Sequence, residues 1–428
     1  MPPILLLTLD TTRADHLGLY GYFRDTSPNL DHLATISRVF DDAIAPMATT
    51  LPTHLSLMTG LTPLEHGTTA NIMHGGTRFV PGEQVQTIAQ VLAAAGYQTA
   101  AFVSAAPLEA GTGVDRGFAE FDAPEGIERA GDKTVNRAVQ WLHRVDLSRP
   151  WFLWVHLYDP HNPYWPMEPW KSQFVGDGDQ SSWLTERQFP ESSVRPGKPE
   201  PGKVAGEVVD TVPANDRYDG EIAFMDAQIG RLMLEVARTR VKPVILVVGD
   251  HGEGLGQHDQ PGHGRVWNEQ LRVPMMLHMP GLEAGRHTPT VGVVDAFPTV
   301  LSQLQIPGVE AFLTQASGLD VLDPEAAPRV IYSLQSQRQE EEFGQPSTSA
   351  LTTTDWKLVA VEDEEPRIYD RRTDPYELRP VLDAERLPLL QSLHAAQLKR
   401  AEELGHPVVQ SVSEDTVQAL QELGYLDE

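Results

Sequence analysis

The feature that most constrains this chain is a set of short, almost wholly apolar runs that stop abruptly at polar residues. They cover Ile4 to Asp10, Thr99 to Ser104, Trp151 to Leu157, Val244 to Asp250 and Val273 to Met279. Runs of this length without polar alternation suit strands buried on both faces. Between them lie helical patterns at Asn29 to Ser37, Gln86 to Ala95, Lys133 to Val145 and Tyr218 to Arg238. Strands alternating with helices predict an α/β fold: a large, mostly parallel central sheet flanked by helices. Such sheets bind ligands beyond the carboxyl ends of their strands. Asp10, His156 and Asp250 fall at or near those ends.

Residues 176–216 are rich in Gly, Pro, Ser and charge, and read as a surface insertion or lid within a catalytic domain spanning 1–325. From 326 to 428 the pattern changes. RVIYSL, ALTTTDWKLVAV and PRIYD read as antiparallel strands, followed by helices near Pro388 to Leu404 and Glu414 to Leu423. This predicts a smaller C-terminal α+β subdomain.

Composition narrows the chemistry. Sixty Asp and Glu against 33 Lys and Arg give a net charge of −27, which argues against nucleic-acid binding. An anionic substrate then calls for a metal to supply local positive charge. The absence of cysteine rules out disulfides, zinc–thiolate sites and thiol nucleophiles. No apolar run approaches the ~20 residues of a membrane span. The start MPPILLLTLD lacks the basic stretch and cleavage site of a signal peptide, so a cytoplasmic location is the default expectation. A periplasmic or secreted location would follow if a signal had been removed. Nothing in the pattern sets an oligomeric state.

Three segments carry reactive groups. Asp10 ends the first run, in LTLDTTRAD, where a carboxylate can hold a cation or cap a helix. Asp250 and His251 end another, in VVGDHGEGLGQH, with glycines that let both reach one ion. Between them, MATTLPTHLSLMTG places Thr50 before a proline and an apolar helix. A hydroxyl there can cap the helix, or bind a metal, lose its proton and attack phosphorus or sulfur.

In their order these segments resemble the sulfatase family of the alkaline phosphatase superfamily. DTTRAD resembles its opening D-x-x-R, TLPTHLSLMTG its C/S-x-P-S/T-R-x-x-L-x-T-G nucleophile segment, and GDHGEGLG its D-H/N-G segment. HLYDPHNPY, LRVPMMLHMPG, IYDRRTDPYEL and the final LQELGYL extend the likeness over nearly the whole chain. The resemblance implies an alkaline-phosphatase-like fold with Asp10, Thr50, Asp250 and His251 around one divalent ion. Thr50 would be the nucleophile and form a covalent intermediate. His161 would touch the substrate's oxygens or leaving group. His156 and His263, with His161, would serve a second metal, the substrate or acid–base chemistry.

Two departures bear on the reaction. Usual sulfatases convert Cys or Ser to formylglycine, whereas threonine cannot give that aldehyde, so no formylglycine is expected. His54 stands where the family has arginine, exchanging a permanent charge for a group expected to titrate near neutrality. No lysine precedes Lys133, and none lies from Pro243 to Asp355. Positive charge at the transferring group would then come from metal, histidine or arginine. Asp/His ligation favours Zn²⁺ or Mn²⁺, with Ca²⁺ or Mg²⁺ as alternatives. The resulting expectation is a hydrolase of small anionic esters, phosphate mono- or diesters ahead of sulfate esters. A phosphoryl-group transferase and an inactive anion-binding homologue are the other readings.

Overall fold

The computed structural model describes residues 1–72, 77–175, 212–259, 261–341, 344–383, 385–403 and 408–411. Five of the apolar runs become strands of one nine-stranded sheet. Its strands in chain order include β1 (Ile4–Leu9), β2 (Arg38–Ile44), β3 (Gln98–Phe102), β4 (Glu120–Asp122), β5 (Trp151–Leu157), β6 (Val244–Gly249), β7 (Arg272–His278) and β8 (Gly285–His287). Their spatial order is β8-β2-β7-β6-β1-β5-β3-β4, and Val291–Gly292 also pairs with β2. β1, β3, β4, β5 and β6 are parallel, and β7 runs opposite to its neighbours β6 and β2.

The unbroken apolar runs follow from burial on both faces. Ile4 and Leu6 of β1 enter one core, while Leu5, Leu7 and Leu9 enter the other. The first core takes Leu51 and Leu55 of helix α1 (Thr50–Thr59) together with Ile88, Leu92, Phe297 and Val300. The second takes Tyr218, Ile222, Met225, Ile229, Leu232 and Val236 of helix α2 (Val212–Arg238). Their spacing of three and four keeps one helical face on the sheet.

Several expectations need adjusting. Residues 212–216 belong to α2 rather than to a loop, and the rest of the expected insertion, 176–211, lies outside the described residues. So does the helix expected at Glu414 to Leu423. Strand β2 went unforeseen because Asp41 and Asp42 interrupt its apolar pattern. Asp42 is matched in space by Arg371, 2.6 Å away.

The expected C-terminal strands form a separate antiparallel sheet of Ile331–Leu334, Thr348–Thr352, Trp356–Val361 and Arg367–Asp370. One side, with Ala350, Val359 and Tyr369, joins the first core. The other, with Leu351, Leu358 and Ile368, packs on Leu390 of helix Arg386–Glu403. Among the described residues, no helix is long and apolar enough to cross a membrane.

Candidate active site

Parallel register brings the strand ends to one level. Leu9 lies opposite Leu157 on one side and Gly249 on the other, so Asp10 and Asp250 emerge side by side. Behind Asp10 the backbone turns sharply: Thr11 has φ 44°, a left-handed conformation that costs a threonine energy. The turn aims the Thr11 N–H at Asp250 Oδ1 (3.2 Å). Tyr218 holds it, donating its hydroxyl to Thr11 O (2.6 Å) and accepting from Arg13 N (2.9 Å). At Gly252 a Cβ would lie 2.1 Å from Glu269 O, so only glycine lets the Asp250-His251 turn pack there.

Thr50 is the first residue of α1, and Thr49 rather than Thr50 takes the N-cap position. The Thr50 hydroxyl therefore does not cap the helix. It donates to Asp10 Oδ2 at 3.3 Å and lies 3.4 Å from His251 Nε2. The positive end of the helix dipole favours an oxyanion at this position. Asn71 accepts the Leu51 N–H at 2.8 Å and holds the helix start.

Asp10, Thr50, His54, His156, Asp250 and His251 are all buried. The ligating atoms of Asp10, Asp250 and His251 lie within 4.8 Å of one another, as do those of His54, His156 and Asp250. Asp250 Oδ1 accepts two backbone N–H groups, from His251 (2.6 Å) and Thr11 (3.2 Å). Its Oδ2 and Asp10 Oδ1 are buried without a hydrogen-bond partner. Burial, and for Asp250 the nearby charge of Asp10, push both carboxyls well above their usual range. Two buried carboxylates with spare oxygens facing imidazoles fit a divalent cation. His251 suits this role: its Nδ1–H donates to Gly252 O (2.9 Å), which leaves Nε2 as a lone pair.

The histidines separate into two groups. His54 and His156 face each other with ring centroids 4.9 Å apart. His161 and His263 meet at Nε2···Nε2 3.2 Å. His156, one of the histidines proposed for a second metal or acid–base work, thus lies against His54, while His161 pairs with His263. His263 sits between Gly262 (φ 84°) and Gly264 (φ 106°), which carry the loop back over the site, 4.5 Å from the His251 ring. Burial first, then His156, hold His54 well below the usual histidine range, which corrects the expectation that it titrates near neutrality. Burial likewise brings His156 down to about 3.

Ser104, whose N–H points at His156 Nδ1 (3.4 Å), and Trp154, whose ring lies 5.5 Å from that of His54, escaped the sequence reading. Ser104 ends an apolar run, and that position was its only signal.

The sulfatase family model matches residues 2–306. The chain belongs to the sulfatase family. It is 23% identical over 471 residues to an arylsulfatase of Clostridium perfringens, covering 94% of this chain and 95% of that one. Among solved structures it resembles the phosphonate monoester hydrolase of Agrobacterium radiobacter, with a TM-score of 0.70 at 19% identity, covering 96% and 100% of the two chains. A 2-O GAG sulfatase gives 0.69 at 16% identity, covering 94% and 93%. Membership makes this chain a sulfatase-family hydrolase. The strand-end cluster lies within the matched region, where the segments around Thr50 and around Asp250 and His251 converge.

Proposed function

We propose that this chain hydrolyses phosphate mono- or diesters through Thr50 and a covalent phosphothreonine, with a divalent ion at Asp10, Asp250 and His251. The observation that carries the reading is the Thr50 hydroxyl. It is buried at a helix N-terminus, excused from capping, and turned to Asp10 and His251. A divalent ion there would lower the pKa of that hydroxyl and offset charge on the transferring group. The mixed carboxylate and imidazole donors suit Zn²⁺ or Mn²⁺.

Asp10 Oδ2 is placed to accept the Thr50 proton as Oγ1 attacks phosphorus and the bond to the leaving oxygen breaks. His161 and His263 each donate Nδ1–H to a backbone carbonyl, at Asn162 (2.6 Å) and Ala48 (3.1 Å). Their facing Nε2 atoms then share one proton, which passes to the leaving oxygen. In the second half the pair takes a proton from water, which attacks the phosphothreonine; Asp10 Oδ2 returns its proton to Thr50 Oγ1 as the bond to phosphorus breaks, and phosphate, or its monoester from a diester, departs.

Two points favour phosphate over sulfate. Threonine cannot become formylglycine, whose hydrate expels sulfate by elimination. A solved relative of the same fold is a phosphonate monoester hydrolase.

The test compares kcat/KM for matched nitrophenyl phosphate, phosphodiester, phosphonate and sulfate esters with Zn²⁺ or Mn²⁺, and looks for phospho-Thr50 by mass spectrometry after acid quench. The expected result is a phosphate or phosphodiester preference with label on Thr50. A sulfate preference would make the chain a sulfuric ester hydrolase. Transfer to an added alcohol in place of water would make it a transferase. Metal binding without turnover of any ester would make it an anion-binding protein.

A further inference from the structure

We infer that His54, His156 and Asp250 form a second divalent-cation site that shares the Asp250 carboxylate with the first. The inference rests on the first metal site of the reading above, but its test separates the two.

The geometry is that of a ligand set. The donor atoms of the three residues all lie within 4.8 Å of one another and all three side chains are buried. Zinc bonds of roughly 2.0–2.2 Å allow such a set to close on one ion. His54 is prepared for this role. A carbonyl oxygen can only accept, so the 2.8 Å contact with Thr50 O places the ring proton on Nδ1. That leaves Nε2 as a lone pair, and it is buried with no hydrogen-bond partner. A ligating histidine is ordinarily fixed in this way, through its other nitrogen.

Asp250 can serve both sites. With Oδ1 taken by two backbone N–H groups, Oδ2 is left over, 3.6 Å from His251 Nε2. Asp250 also belongs to the His54 ligand set, whose ring comes within 3.6 Å of Oδ2 at the protonated Nδ1; the ion would be taken by that ring's other nitrogen, Nε2.

Charge points the same way. One divalent ion balances Asp10 and Asp250 and leaves the ester's own charge unanswered. His54 stands where the family's motif has arginine, and a second ion at its Nε2 would restore positive charge at that position. Paired ions hold the attacking and leaving oxygens of an in-line displacement.

His156 makes this the weaker site. Its Nε2 faces Asp10 Oδ2 at 3.3 Å, while Ser104 N–H approaches its Nδ1 at 3.4 Å. Ligation through Nε2 moves the ring proton to Nδ1, against that N–H. The second site should therefore fill after the first.

The test is metal stoichiometry on the full chain. EDTA-stripped protein is titrated with Zn²⁺ or Mn²⁺ by calorimetry, and bound metal is counted by mass spectrometry after gel filtration. Wild type should take two ions in two steps. His54→Gln and His156→Gln should each take one, keeping the tighter step. Should either variant misfold, anomalous scattering from wild-type crystals grown with Zn²⁺ should show two peaks flanking Asp250. One ion at saturation in wild type would overturn the second site and leave the first standing. One ion in wild type with a weakened tight step in His156→Gln would make His156 a positioner of Asp10 instead. Two ions retained in both variants would also overturn the inference. No ion in wild type would overturn the metal dependence itself.

Discussion

Asp219 and Asp250 are both buried carboxylates of the same protein, and they are surrounded in opposite ways. Asp219 Oδ2 meets Arg24 Nη1 and the Tyr22 hydroxyl, each at 2.7 Å, and its Oδ1 meets His16 Nδ1 at 2.7 Å. Arg24 reaches Asp216 as well, at 2.7 Å. Asp250 instead faces a second carboxylate and two imidazoles. The first cluster brings its own cation. The second sets two carboxyls side by side, each with a buried oxygen that makes no hydrogen bond, and burial raises both. Burial is common to both, so burial of an acid does not mark function here; the identity of its partners does.

Four measurements would break or sharpen that contrast. Thr50→Ala should lower kcat by about 10⁴–10⁶, the scale for losing a nucleophile, while Thr50→Ser keeps part of the rate. Equal rates in Thr50→Ala and wild type would remove the chemical meaning of the strand-end cluster.

His161→Ala and His263→Ala should each cost about 10²–10⁴ in rate. Because the two rings share one contact, the double variant should be little worse than the poorer single one. Fully additive losses would show that the pair does not act as a unit.

Asp219→Ala should destabilise the protein by about 3–5 kcal/mol, since it takes a shared partner from buried Arg24, Tyr22 and His16 and leaves Arg24 with Asp216 of its two carboxylates. Turnover per folded molecule should hold, as read from denaturant unfolding beside active-site-normalised rates. A stable but inactive Asp219→Ala would move this cluster into the functional class.

The smallest effect is on the metal-free protein. Burial raises the Asp250 carboxyl, so folding binds protons that the unfolded chain releases above about pH 4. Stability of the stripped wild type should then fall as pH rises from there through the higher folded value. Asp250→Asn should flatten that slope and stabilise the stripped protein at pH 8 by about 1 kcal/mol, while losing the stabilisation that Zn²⁺ or Mn²⁺ gives wild type. An unchanged metal response in Asp250→Asn would remove Asp250 from the ligand set.

Much of this was legible in the chain. Apolar runs without alternation announced strands covered on both faces, and their polar ends announced the side on which chemistry would sit. Asp10, Thr50, Asp250 and His251 could be picked out because each lies inside a local motif. Strand β2 could not, since its two aspartates resemble a loop until Arg371, more than three hundred residues on, is placed against Asp42. Nor could the strained Thr11 turn, whose support from Tyr218 arrives across the fold.

The amino-acid sequence by itself determined the central strands of the sheet, the polar ends of those strands and the residues able to react, because periodicity and turn chemistry act over a few neighbouring residues. Only the tertiary structure decided which histidine faces which. Strand order and register set those distances, and they joined His156 to His54 and Asp250 and His161 to His263. Burial, also a property of the whole fold, left His54 neutral and the two aspartates in want of a cation.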